Sequence, residues 1–253
     1  MTLGNGTTRK YAFDNRGQIT TQVELDATSA PVVTLVDSYD AVGNRLTRSV
    51  NGTISTWTHD DLYRLTGQLK PGQAATYTLD GAGNLRTMWE GGSFPKTFTF
   101  NAADRLVTMV EGANLTTYSH TGYGALASEI TGTSTTTYSY SGQDHLIGVI
   151  DSSAIRSTYT FDGDGLRRTA QNGNVQATTM VWDGSDYLLL KGPSSDQLVL
   201  TVDGEILASG SHDLLPDSLG SVIGSTQSGS NPTTPYSYWP YGRRVGLGLA
   251  PPF

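Results

Sequence analysis

A motif of about 20 residues repeats along most of the chain and constrains the fold more than any other feature. Each copy has an aromatic residue, a small residue and a second aromatic or similar residue, followed by Asp or a small polar residue. A turn residue, often Gly, follows three positions later. After a first interval of 26 residues, the Asp-type positions recur every 20 or 21 residues. These positions are Asp14, Asp40, Asp60, Asp80, Asn101, Thr121, Ser141, Asp162 and Asp183.

Each copy predicts one β-hairpin. In Tyr77-Thr78-Leu79-Asp80 the first and third residues share one face of a strand, and Thr78 points to the other face. The Asp side chain accepts backbone N–H groups in a turn, and Gly83 is suited to a positive φ. Shorter hairpin turns are predicted at Asn51-Gly52, Glu111-Gly112, Asn172-Gly173 and Asp203-Gly204.

Nine such hairpins in series predict an all-β fold with no helix longer than about two turns. Serial antiparallel hairpins of about 20 residues would pair edge to edge, because a single hairpin cannot bury its apolar face alone. The right-handed twist of strands would make the resulting sheet spiral. The composition agrees, since the 253 residues include 35 threonines and 13 tyrosines, which favour strands.

The charge and the cysteine count exclude several functional classes. The net charge of −7 and the four lysines give no cationic surface for nucleic acid or for an anionic membrane. No apolar run is long enough to span a bilayer, so membrane insertion is not expected. The absence of cysteine excludes disulfides and thiolate metal sites.

The first aromatic position of the repeat has two interpretations. Large apolar rings in every repeat are most simply explained as the core. A row of aromatic rings, here called the ladder, could instead stack on sugars. Glycan binding is therefore the alternative interpretation. The ladder comprises Tyr11, Trp57, Tyr77, Tyr118, Tyr138 and Tyr159, and the prediction places Tyr77, Tyr118, Tyr138 and Tyr159 on one side of the sheet.

The polar residues do not predict an active site. The Asp series is interpreted as turn capping, because Asn101, Thr121 and Ser141 replace Asp without loss of register. His59 and His120 occupy the second aromatic position and are interpreted as packing residues. The histidines lack the spacing that is typical of metal ligands. The sequence also lacks the G-x-S-x-G motif that forms the nucleophile elbow of many hydrolases. We therefore predict no enzyme, no catalytic, metal or cofactor-binding residues and no cofactor. His145 and His212 complete the histidines, and His212 and Asp213 near Asp217 are interpreted as structural.

The repeats resemble the YD repeats of the Rhs family, which also occur in teneurins and in the C subunits of Tc toxins. The segments YAFDNRGQI, YDAVGNRLT, YTLDGAGNL and YTFDGDGLRR are typical of it. A second stretch, with Asp217-Ser-Leu-Gly220-Ser-Val222 and then Tyr236-Ser-Tyr238-Trp239-Pro-Tyr-Gly242, resembles the start of the Rhs-associated core. Trp239 stands where the family usually has Asp.

The resemblance implies three segments and a structural role. Residues 1–8 would be a lead-in, 9–190 the YD-repeat array, and 191–253 the start of the Rhs-associated core, truncated. Such proteins form a hollow shell that encloses a C-terminal toxin or effector, whereas teneurins use a related shell for adhesion. The aspartate-based self-cleavage of toxin members lies in a region expected after Phe253, so a self-cleaving protease is not expected here.

The resemblance also implies partners and a location. Open strand edges at the two ends of the sheet predict pairing with the rest of the shell or another chain, or self-association. An enclosed toxin and a glycan are further candidate partners. No signal peptide is present at Met1–Lys10, and the expected location is outside the cell or at its surface, as part of a larger exported protein.

Overall fold

The protein is all-β, as predicted. A computed structural model describes residues 7–92, 94–202, 205–227 and 236–245, apart from the side chains of residues 202, 205 and 227. These residues form 22 strands and no helix. The strand pairings among the described residues are antiparallel, and within each unit described below consecutive strands pair with each other. The lead-in predicted for residues 1–8 and the turn predicted at 203–204 lie largely or wholly outside the described residues.

The described residues up to Tyr77 and from Leu200 onward form one compact unit, here called the closed unit. Its N-terminal part contains six complete strands and most of a seventh. These strands are β1 (Thr8–Phe13), β2 (Ile19–Leu25), β3 (Pro31–Tyr39), β4 (Arg45–Val50), β5 (Thr53–His59), β6 (Leu65–Lys70) and β7 (Gln73–Leu79).

Thr78–Val199 form a second compact unit, here called the open unit. Its strands are β8 (Leu85–Glu90), β9 (Lys96–Phe100), β10 (Leu106–Glu111), β11 (Asn114–His120), β12 (Leu126–Thr131), β13 (Ser134–Tyr140), β14 (Leu146–Ile150), β15 (Arg156–Phe161), β16 (Arg167–Asn172), β17 (Thr178–Asp183), β18 (Asp186–Lys191) and β19 (Asp196–Val202). Three strands of the closed unit follow, β20 (Glu205–Ser209), β21 (His212–Pro216) and β22 (Val222–Gln227).

The Asp-type position opens a five-residue turn of constant geometry. In the turn at Asp80, one carboxylate oxygen accepts the N–H groups of Ala82 and Asn84, each at 2.9 Å. The Asp80 carbonyl accepts the N–H of Gly83, whose φ is 94°. Asn101 and Ser141 accept the same two N–H groups with their side chains, which explains why they substitute for Asp. Turn capping is therefore the structural role of the series.

The structure corrects several predicted turns. Asp183 does not open a five-residue turn, because it is the last residue of β17 and pairs with Asp186 across a two-residue turn. Conversely, Asp26 and Asp151 open five-residue turns that the sequence interpretation missed. The predicted turn at Glu111-Gly112 is displaced by one residue, since Glu111 pairs with Asn114 and leaves Gly112 and Ala113 as the turn.

Small hydroxyl residues between the two ring positions form a second repeated contact, on the face opposite the rings. Thr78 and Thr87 bring their hydroxyls to 2.7 Å across the strand pair, as predicted from the direction of Thr78. The same nine-residue interval joins four other pairs at 2.6–2.7 Å. They are Ser38–Thr47, Thr99–Thr108, Ser119–Ser128 and Thr160–Thr169.

The ladder of rings is partly confirmed. Opposite residues of an antiparallel pair share a face, and the register therefore places Tyr118, Tyr138 and Tyr159 on one face of the open unit. These three rings are only half-buried. Tyr77, in the closed unit, is 2% exposed, whereas Tyr11 is 40% exposed and does not belong to the core. Only Tyr77 therefore has the full burial expected of a core residue.

Candidate functional site: a buried ion cluster and its cavity

The C-terminal part of the chain covers one face of the N-terminal hairpins within the closed unit. Leu215 of β21 packs against Val33 and Leu35 of β3, and all three side chains are buried. Leu214 contributes to a second buried cluster with Val222 and Tyr236. Because β21 has Leu214 and Leu215 on opposite sides, it joins two small cores.

The covered face carries charge as well as apolar side chains. Arg9 and Glu24, opposite each other on β1 and β2, form an ion pair of 2.9 Å and are each 2% exposed. Arg9 also donates to the carbonyl oxygen of Leu214 at 3.3 Å, and Gln22 donates to that of Pro216 at 3.0 Å. Side chains of the first hairpin thus bind the backbone of β21 directly.

The centre of this face is an ion cluster around Arg48. Its guanidinium donates to both carboxylate oxygens of Asp37, each at 2.7 Å, and also contacts the carboxylate of Asp217. Ser218 accepts from Arg48 and from Arg45, each at 2.7 Å, and donates to Asp37 at 3.2 Å. The positive charges of Arg45 and Arg48 therefore balance the negative charges of Asp37 and Asp217. The four side chains are 3–14% exposed.

The partners of Arg48 favour its charged form. Burial alone would lower the pKa of Arg48, but the hydrogen bonds and charges of Asp37 and Asp217 raise it above its ordinary value. Isolated buried charges are costly, and pairing with full hydrogen bonding offsets that cost. The cluster joins positions 169 residues apart and so fixes where the C-terminal segment docks.

The segment that contains Tyr236 and Tyr238 repeats the pattern of the hairpins. The N–H of Trp239 bonds to the carbonyl of Arg243 at 2.8 Å, and that of Gly242 bonds to the carbonyl of Trp239 at 2.8 Å. This is the five-residue turn formed by backbone alone, with Trp239 at the Asp position. Beside it, Tyr241 packs edge-on against Tyr77 with ring centroids 4.7 Å apart, which explains the burial of Tyr77.

A cavity of about 590 Å³ lies beside the cluster, between β4–β6 and the C-terminal segment. Arg45, Arg48 and Asp217 form one part of its wall. Aromatic side chains, a histidine and a lysine form another part of the wall. These further residues are Trp57, His59, Lys70, Tyr238 and Trp239.

The other candidate residues from the sequence do not come together. His145 stacks on Phe161 with ring centroids 4.7 Å apart, as a packing residue would. Asp217 meets Arg48, while Asp213 lies on β21, where burial raises its pKa. Within the described ranges, no group of three or more His, Asp or Glu side chains could hold a metal ion. In the same ranges, no helix is long and apolar enough to cross a membrane.

Sequence reasoning missed the ion cluster. Asp37 stands at the first ring position of the copy that ends at Asp40, where other copies have Tyr or Trp. A charged residue at a position otherwise reserved for a ring was the available signal. The identity of its partners, Arg48 and Asp217, carried no local signal.

Comparison with solved structures shows the fold. The crystal structure of TcdB2-TccC3-TEV matches with a TM-score of 0.51 and 14% identity, over 98% of this chain and 17% of that chain. TcdB2-TccC3 without its hypervariable C-terminal region matches with a TM-score of 0.47 and 13% identity, over 95% of this chain and 17% of that chain. The Tc holotoxin pore of Photorhabdus luminescens, with a mutation in TccC3, matches with a TM-score of 0.46 and 13% identity, over 96% of this chain and 17% of that chain.

The first of these matches relates the chain in fold to Tc toxin structures, and the chain spans about a sixth of the solved chain's length. No protein-family model matches the sequence. No curated protein matches it either.

Proposed function

We propose that the chain is a non-enzymatic structural segment of an Rhs-type YD-repeat shell that encloses a C-terminal toxin or effector. The observation that carries the proposal is the fold likeness to a Tc toxin structure along almost the whole chain. The repeated turns and hydroxyl pairs support it, because they specify an extended wall rather than a reaction centre. In this proposal the segment is secreted or lies at the cell surface as part of a larger exported protein.

The ion cluster has a defined task in this proposal. A wall of hairpins leaves one face of the sheet to be covered. Asp217 opens a turn in which its carboxylate accepts the N–H groups of Leu219 and Ser221 at 2.9 and 3.0 Å, and this Asp217 turn docks on that face through Arg48. The partners proposed for the chain are the remainder of the shell and the enclosed polypeptide. Self-association through strand edges is the alternative for the isolated chain, and light scattering over a hundredfold concentration range would detect it.

Protease protection tests the enclosure. The natural full-length polypeptide would carry one tag at each terminus and be digested with a broad-specificity protease. We expect the C-terminal tag to persist after the N-terminal tag has gone, and to be lost once urea opens the shell. Equal digestion of both tags in the folded protein would contradict enclosure. Chain shortening during incubation of the purified protein without protease would contradict the non-enzymatic assignment.

Glycan adhesion is the second candidate function, and one observation favours it. Phe98, Tyr118, Tyr138 and Tyr159 share one face of the open unit and are half-buried, so each ring retains accessible surface. Aromatic faces of this kind stack on apolar sugar faces. Binding to a glycan array that is lost in Tyr118→Ser together with Tyr138→Ser, and kept in Thr99→Ser, would support it. Absence of binding to every glycan would exclude it.

A further inference from the structure

The cavity beside the ion cluster has the size of a small-molecule site. Its volume of about 590 Å³ falls within the range of roughly 300–1,000 Å³ that is typical of ligand pockets. One wall comes from β4–β6 and the other from the turn at Asp217 and the segment around Trp239. Both walls belong to the closed unit, so the cavity is independent of the ring row proposed for glycan adhesion.

The cavity carries positive charge that the cluster does not neutralise. Arg48 is fully occupied by Asp37 and Asp217. Arg45 shares Asp37 at 3.4 Å, but its buried Nε has no hydrogen-bond partner among the described residues. Lys70 donates to the hydroxyl of Ser237 at 3.0 Å, and no described carboxylate lies within ion-pair distance of it. Lys70 therefore leaves the cavity with one positive charge that the cluster does not balance.

The rest of the wall combines rings with neutral hydrogen-bonding groups. Trp57 contributes a ring beside Arg45, whose guanidinium carbon lies 5.8 Å from the ring centroid, whereas Trp239 is only 7% exposed. Ser55, Gln68 and Ser237 provide hydroxyl and amide groups. Few polar groups among rings fix the orientation of a ligand in a pocket. A cation in such a setting selects an anionic ligand, because a charge-assisted hydrogen bond is stronger than a neutral one.

We propose that this cavity binds a carboxylated sugar, with a hexuronic acid as the chemical class. The carboxylate would meet Lys70, the pyranose face would lie against the ring of Trp57, and the sugar hydroxyls would bond to the serine and glutamine side chains. This site is additional to the structural role of the chain and does not rest on it.

Isothermal titration calorimetry with D-glucuronate tests the proposal on the purified protein. We expect saturable binding, and we expect Lys70→Gln to weaken it at least tenfold. Lys191→Gln is the matched control, because it removes the same charge from an exposed position in the open unit and should leave the affinity unchanged. The far-UV circular dichroism spectrum of each variant, matching that of the unaltered protein, ensures that lost binding is not lost folding.

Two further ligands make the outcome decisive. Methyl glucoside, which has the ring without the carboxylate, should bind at least tenfold more weakly than D-glucuronate. Inorganic phosphate should also bind more weakly, because it cannot use the ring of Trp57. The proposal is overturned if D-glucuronate does not bind, if the neutral sugar or phosphate binds as tightly, or if folded Lys70→Gln binds as well as Lys191→Gln.

Discussion

At the scale of single residues, the turn carboxylates stabilise the hairpins by accepting backbone N–H groups. The N–H of Asn84 is the largest cause that lowers the pKa of Asp80, and the N–H of Gln18 does the same for Asp14. A carboxyl with a lowered pKa in the folded state contributes stability above its unfolded pKa of about 3.9, and this contribution disappears as the pH falls through the folded pKa.

Replacement of Asp80 by Asn tests this linkage. Asn keeps the side-chain oxygen that accepts the two N–H groups, as Asn101 does naturally, but it does not titrate. We expect Asp80→Asn to lose less stability than the unaltered protein when the pH is lowered from 6 to 2. Urea denaturation midpoints at several pH values would measure the difference. A constant difference in stability between the two proteins at every pH would contradict the role of the charge.

Backbone conformation gives a second test within the same turn. Gly83 has a φ of 94°, where a Cβ is strained even though the space around it is open. We expect Gly83→Ala to reduce the free energy of unfolding by about 1 kcal/mol. Gly81→Ala is the matched control, because Gly81 lacks a positive φ and no atom lies within 4 Å of an added Cβ. Equal effects in urea denaturation would show that strain at Gly83 is not the cause.

At the scale of elements, several strands that lead into the Asp turns carry rings on one face and small hydroxyl residues on the other, and the burial of the rings varies along the chain. Tyr77 is buried beneath Tyr241, whereas Tyr118 is half-buried. We expect Tyr77→Ala to lower the free energy of unfolding by about 3–5 kcal/mol and Tyr118→Ala by clearly less.

Thr78→Ala is the control for these ring variants and should cost no more than about 1 kcal/mol, since it removes one exposed hydroxyl contact. Differential scanning calorimetry would rank the three variants. A ranking with Tyr118→Ala as the most destabilising would contradict the burial of Tyr77.

The docking of β21 and the Asp217 turn depends on Arg48. Arg48→Met leaves the carboxylates of Asp37 and Asp217 buried with less compensation, and a loss of about 3–5 kcal/mol is expected. Arg168→Met removes an exposed arginine and should cost less than about 0.5 kcal/mol. In Arg48→Met with Asp217→Asn, the losses should be less than additive, because the two side chains interact directly. Strict additivity in chemical denaturation would contradict the cluster.

The repeat, the strands and the turns could be predicted from sequence because each is set by residues within about 20 positions of one another. Asp26 and Asp151 escaped detection because no ring pair precedes them, and Asp183 was misassigned because a ring precedes it. The cluster and the cavity could not be predicted, since Arg48 and Asp217 are brought together only by folding. Periodicity identifies a face but not the distant segment that covers it.

At the scale of the whole molecule, we propose that the chain is a wall segment whose strands continue into a larger sheet. The first described strand, β1, pairs with β2. The fold likeness on which this proposal rests extends over nearly the whole of this chain and over 17% of the solved one.

The most direct test of this central claim is a cryo-electron microscopy map of the complete natural polypeptide that contains the sequence. We expect a closed wall in which β1 is hydrogen-bonded to a strand from outside the segment, with density for another polypeptide inside the wall. A map in which these residues form a separate module, sharing no strand with the rest of the protein and enclosing nothing, would contradict it.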